Sequence, residues 1–175
     1  MKPDHDYAMY VAQTPVMNAA WAFAVAYWID RDMRAAWRVT HPTLRRCWTQ
    51  AWLSPLLAHG RVDGHPEAVV EAFAEDEVRH EFWEPFAHAQ VSRSTPLALD
   101  REAWGMQANP DLVAPYMMLV RLVSTAPTGA GRSDEPCSSV PLLMQYDAGP
   151  GWRLLNFASE RMPVPGWRPP RFGEV

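Results

Sequence analysis

The sequence predicts an α+β domain in which helices come first and a small antiparallel sheet comes last. Apolar residues recur with helical spacing up to about residue 90, whereas after residue 104 they fall in short runs rich in Val, Leu, Met and Tyr. The last two runs are joined by Asp147-Ala148-Gly149-Pro150-Gly151, with no helix to cross over between them, so they should pair antiparallel. The 175 residues, 48% hydrophobic and 21% charged, suffice for one domain with a continuous core. Its helical part is expected over about 15–92 and its sheet over about 104–160, followed by a proline-rich tail, 161–175.

Thr14-Pro15 predicts the start of the first helix, with a side chain able to cap and a proline at the first position. Val16, Ala20, Phe23 and Tyr27 then form one apolar stripe, and Trp21, Val25 and Trp28 a second. No charge occurs between Asp6 and Asp30, but Gln13, Thr14, Pro15 and Asn18 leave an apolar run only over 19–29. That is short of the roughly 20 residues a membrane span needs. Asp4 and Asp6 crowd Lys2, which does not make the basic start of a signal peptide. A buried helix in a cytoplasmic protein, without membrane contact, is the expectation.

Asp30 to Val39 reads as a short helix whose Arg31, Arg34 and Arg38 share a solvated face. Thr40-His41-Pro42 marks a second helix start, with Leu44, Trp48, Ala51 and Trp52 as its core stripe and Cys47 as a small hydrophobe within it. From Pro66 to Gln90 the pattern is helical again, and Pro85 should kink or restart it. Strands are expected over 104–109, 114–124, 140–146 and 152–159. Residues 125–139, polar and rich in Gly, Pro and Ser, should form a surface connection between paired strands. In the tail, Trp167 is expected to pin the chain onto its own domain.

The order of elements, together with short motifs, resembles the nuclear-transport-factor-like superfamily and its SnoaL-like members. The motifs are Asp30 or Asp32, then Ala35-Ala36-Trp37, then His41-Pro42 with Leu44-Arg45, and a terminal strand opening Gly151-Trp152-Arg153-Leu154-Leu155. The helical stretch 66–90 is longer than that family has there. The resemblance implies a cone-shaped, cystatin-like domain with a curved sheet and a cavity between sheet and helices, often dimeric. It implies no single function, because this fold hosts isomerases, cyclases and dehydratases as well as binding modules.

Asp76, His80, Glu84 and His88 are spaced by four. Even on a straight helix His80 and His88 would stand about 12 Å apart, too far to share a metal ion. Asp76 with His80, and His41 beside Pro42, remain as candidate acid–base groups. The sheet offers Gln107, Tyr116, Arg121, Gln145 and Asn156 in apolar company, any of which could orient a ligand from an inward face. Alternation puts Tyr116 with Met118, Val120 and Leu122, and Arg121 on the opposite face. The two cysteines, Cys47 and Cys137, make neither a disulfide framework nor a zinc pattern, and the net charge of −4 carries no footprint for nucleic acid. No metal and no cofactor is expected. The favoured expectation is a non-catalytic domain binding a small apolar ligand or a protein partner. Its rivals are a SnoaL-like acid–base enzyme on a hydrophobic substrate, and a structural homodimer joined through the sheet.

Overall fold

In the computed structural model the described residues are 5–62, 65–94, 104–124 and 139–167, with side chains from Gln13 onward. Helices α1 (His5–Ala24), α2 (Met33–Arg38), α3 (Pro42–Ala58), α4 (Pro66–Ala74) and α5 (Trp83–Ser94) precede strands β1 (Trp104–Met106), β2 (Asp111–Ala114), β3 (Met117–Ser124), β4 (Ser139–Asp147) and β5 (Gly151–Phe157). The expected α+β order is present. The sheet runs β1-β3-β4-β5, β2 also pairs with β3, and every strand pair is antiparallel. Register shifts at Leu112/Ala114 and Leu143/Met144 mark irregularities in two of these pairings. No helix among the described residues is long and apolar enough to cross a membrane.

The first helix does not start at Thr14-Pro15. It begins at His5 and runs through Pro15, and Gln13, one turn into the packed region, is already buried. The chain then widens into a π-turn, Val25–Ile29, closed by the Asp30 N–H donating to the Val25 carbonyl at 2.8 Å. This turn buries Ala26, Tyr27 and Trp28 in succession. Asp32 caps α2 by accepting from the Ala35 N–H at 3.0 Å, and Arg34 and Arg38 are exposed as expected. His41 caps α3, its Nδ1 accepting from the Thr43 N–H at 3.1 Å, with Pro42 in the first turn.

The 66–90 stretch is two helices. Pro85 stands in the first turn of α5, and its ring would clash with the Glu81 carbonyl in any helix continued upstream. Between them the chain is irregular, with Val78 buried and His80 Nδ1 accepting from the Phe82 N–H at 3.2 Å. The expected 114–124 strand is likewise two strands, turning at Pro115-Tyr116 with Tyr116 at φ 62°. The β4–β5 hairpin matches its glycine signal, with φ of 103° at Gly149 and 83° at Gly151.

Met118, Val120, Leu122, Leu142, Met144 and Leu154 face the helices and join the main core. Leu119, Leu143 and Leu155 form a smaller cluster of their own with Met117 packed against it. The outer edge of β5 meets the α2–α3 connection: the His41 N–H donates to the Leu154 carbonyl at 2.7 Å and the Leu154 N–H to the Val39 carbonyl at 2.8 Å. The tail is pinned as expected. Gly166 N–H donates to Gln50 Oε1 at 2.7 Å, and the Trp167 indole N–H donates to the Glu67 carboxylate. The 125–138 connection, Cys137 and the chain after 167 lie outside the described residues.

One charged side chain is fully buried among the helices. The Arg45 guanidinium donates to the Trp37 carbonyl at 3.0 and 2.7 Å and to the Ala74 carbonyl at 2.8 Å, and pairs with Asp76 at 2.8 Å. Those carbonyls lie at the ends of α2 and α4, where the helical ladder runs out; the Trp37 carbonyl also accepts from the Thr40 N–H at 3.0 Å. Replacing Arg45→Leu should lower unfolding stability by about 3 kcal/mol or more in urea denaturation, because the Ala74 carbonyl and Asp76 lose their Arg45 donor and the Trp37 carbonyl keeps only backbone N–H donors, Thr40 among them. Arg45→Lys should recover only part of this, since one ammonium cannot reproduce the fork. Equal stability of Arg45→Leu and wild type would contradict this account.

Candidate aromatic cavity

An apolar cavity lies where the π-turn, α3, α5 and the end of β5 meet. Its volume is about 250 Å³, and Tyr27, Trp28, Trp48 and Phe157 supply its rings. The rings are set at varied angles. Tyr27 and Trp48 lie 5.7 Å apart at 33°, Trp48 and Phe157 5.1 Å apart at 88°, and Trp28 and Phe157 6.1 Å apart at 71°. Ala51 lines it from α3, and Gln90, Arg93 and Ser94 line it from the last turns of α5.

The polar groups here are few. The Tyr27 hydroxyl donates to the Gln90 backbone carbonyl at 3.3 Å, and burial pushes its pKa up to about 12, against a smaller downward pull from Arg93. Tyr27 is therefore neutral at ordinary pH. The Ser94 hydroxyl donates to the Val91 carbonyl at 2.7 Å. The Trp28 indole N–H is buried without a hydrogen-bond partner. The Gln90 side-chain amide, in a residue only 7% exposed, makes no hydrogen bond among the described residues.

A second cavity, about 220 Å³, is polar. It lies between α2 and the 76–79 segment and is lined by Arg34, Arg38, Arg79, Asp76 and Glu77 over the Trp37 and Trp83 rings. Its charges are largely spent on one another: Arg79 pairs with Glu77 at 2.9 Å, and Asp76 with Arg45 and Arg153. Arg34 pairs with Glu84 at 2.9 Å and lies 4.9 Å over Trp83.

The side chains singled out from the sequence are dispersed. Asp76 bridges Arg45 and Arg153. Burial pulls its carboxyl upward, but hydrogen bonds from Arg153 and Arg45, with their charges, outweigh this and hold it below the ordinary carboxylate range. His80 packs against the Phe73 and Phe82 rings, and no hydrogen bond joins it to Asp76. Arg121 gathers Asp111, Glu160 at 3.0 Å and Gln107, so two of the sheet candidates do meet, but in a half-exposed charge network. Tyr116 is 70% exposed and stacks on Tyr146. Asn156 donates to the Arg161 carbonyl at 2.8 Å, and Gln145 sits within β4 opposite Met117 and Arg153. Among these candidates only Asp76 lines either cavity. Among the described residues no three His, Cys, Asp or Glu side chains gather closely enough to hold a metal ion.

Of the lining residues, Tyr27, Trp28, Trp48 and Ala51 read from sequence as apolar stripe; Tyr27 and Trp28 are buried and Trp48 partly so, but Ala51 is exposed. The one local signal was Tyr27-Trp28, adjacent large rings that a regular helix would send in different directions. Compared with known protein families, with curated proteins and with solved structures, the chain matches none.

His41 makes an ion-pair contact at the sheet end, Nε2 standing 3.2 Å from an Asp147 carboxylate oxygen. Its Nδ1 accepts from Thr43, so Nε2 carries the proton and donates to Asp147. Burial lowers the imidazole below its ordinary value. Asp147 pulls it upward without cancelling this, and Arg153 and Arg45 add to the lowering. Between the folded value and the unfolded one, about 6.5, only the unfolded chain takes up the proton. The His41 contribution is thus complete above about pH 6.5 and is lost as pH falls through the folded value. Urea midpoints should fall across that window in wild type. They should fall less in His41→Asn, which keeps a capping side chain but does not titrate. Identical slopes would remove His41 from the acid response.

Proposed function

We propose that this chain is a non-catalytic, nuclear-transport-factor-like domain that holds a small apolar ligand in the aromatic cavity between its helices and the end of its sheet. The observation that carries the reading is the lining itself: four aromatic rings, with Tyr27 and Arg93 as the only titratable side chains among the described residues. General acid–base chemistry needs a group that exchanges protons near the working pH. Tyr27 at about 12 and a guanidinium do not supply one. His41 and His80, which an acid–base enzyme would have needed there, stand elsewhere.

Protein interaction is favoured by a different observation. Leu112, Val113, Tyr116 and Tyr146 are large, apolar and exposed around the β2–β3 turn, with Tyr116 stacked on Tyr146 and Tyr146 edge-on to Trp152. Such a patch suits a second copy or another protein laid on that end of the sheet.

Ala51 is exposed and lines the cavity, so Ala51→Phe should fill the space without disturbing the core. Isothermal titration with indole should show saturable binding to wild type and at least tenfold weaker binding to Ala51→Phe. No indole binding to wild type would sink the ligand reading. For the patch, Leu112→Glu should shift a dimer towards monomer in light scattering after size exclusion, and a wild type that is monomeric at high concentration would sink the dimer.

A further inference from the structure

We propose that the cavity selects a small planar aromatic carboxylate, its ring among Tyr27, Trp48 and Phe157 and its carboxylate at Gln90 and Arg93. This rests on the cavity being a ligand site and adds the charge and shape of what it takes. Four aromatic walls can also form a cage for an organic cation. Sign of charge decides between the two. Among the described residues no Asp or Glu lines the cavity, and the one charged lining group is Arg93, which a cation would be repelled by.

Hydrogen-bonding capacity points the same way. Gln90 and Arg93 both line the cavity, Gln90 buried and Arg93 exposed to solvent, and neither side chain makes a hydrogen bond or ion pair among the described residues. The Trp28 indole N–H beside them also lacks a partner. A buried donor without a partner is costly, and the Trp28 N–H is one, while the exposed Arg93 fork can turn its donors to a ligand without giving up a contact within the described residues. The complement to a surplus of donors is an acceptor-only group, and a carboxylate matches the guanidinium fork as well.

Size limits the rest. A cavity of about 150 Å³ takes up benzene. About 250 Å³ leaves room for one ring and a short acidic arm. The tilted and edge-on angles among Trp48, Tyr27 and Phe157 offer both a face and an edge to such a ring.

Titration calorimetry of the whole chain with phenylacetate, phenylacetamide and 2-phenylethylammonium separates these possibilities. Phenylacetate should bind about tenfold more tightly than the neutral amide, and the cation should show no saturable binding. Arg93→Gln should bring phenylacetate down to the affinity of phenylacetamide, and Arg93→Lys should restore part of the difference, as a single charge without the fork. Equal affinities for acid and amide in wild type, or tighter binding of the ammonium, would overturn the carboxylate while indole binding kept the cavity. Failure of indole and of all three probes would overturn the cavity reading and this inference together.

Discussion

The guanidinium of Arg45 sits where the ends of two helices and one strand converge, and the placement of the aromatic interior follows from it. Its nitrogens satisfy the Trp37 and Ala74 carbonyls, and Asp76 completes the set while also holding Arg153 of β5 at 3.0 Å. Few other side chains could do this. The fork supplies several donors in fixed directions, and its charge stays on at any working pH. Although burial depresses its pKa, hydrogen bonding and attraction from Asp76 counter the effect. Asp76 is more than half exposed, so the pair is not a sealed ion pair with the full desolvation cost of one.

What Arg45 fixes is chiefly Trp37. The same tryptophan lends its carbonyl to Arg45 and its indole N–H to the Phe73 carbonyl at 2.8 Å. Its ring contacts Trp48, Phe73, Trp83 and Phe86. Through Trp48 this network reaches the cavity, whose other walls come from the π-turn and from Phe157. A π-turn is a less favourable geometry than the α-helix around it and persists only where packing compensates. Here the compensation is visible, because Tyr27 and Trp28 each pack on Phe23 and Phe157. The turn and the aromatic cluster therefore stand or fall together.

The parts of this fold that were legible in the sequence are those decided locally. His41-Pro42 marked a helix start, Gly149 and Gly151 a hairpin, Pro85 a helix restart, and Trp167 an anchor, each through chemistry confined to a few residues. Thr14-Pro15 carried the same signal as His41-Pro42, yet there the helix continues upstream, since a proline inside a helix is a finite cost that tertiary context can exceed. Arg45 was not legible as a buried hub. Its acceptors lie 8 and 29 positions away, and nothing in an amphipathic pattern distinguishes an arginine that reaches buried carbonyls from one that reaches water. The cavity residues were visible only as core, because a ring that lines a space and a ring that fills one obey the same periodicity.

The acid–base candidates illustrate the same limit from the other side. His41 was picked for its place at a helix entry, Asp76 and His80 for their spacing, and the sheet candidate Arg121 for its apolar company, and in the fold most of these have found a partner close by. His41 has Asp147, Asp76 has two arginines, and Arg121 has Asp111 and Glu160. A group whose capacity is already met within the protein must give up a favourable contact before it can serve a ligand. Gln90 and Arg93 face no such exchange, because their capacity is open where the aromatic rings leave room. A cavity beside such groups, with the unpartnered Trp28 N–H in its wall, is therefore where a ligand would meet least competition from the protein itself.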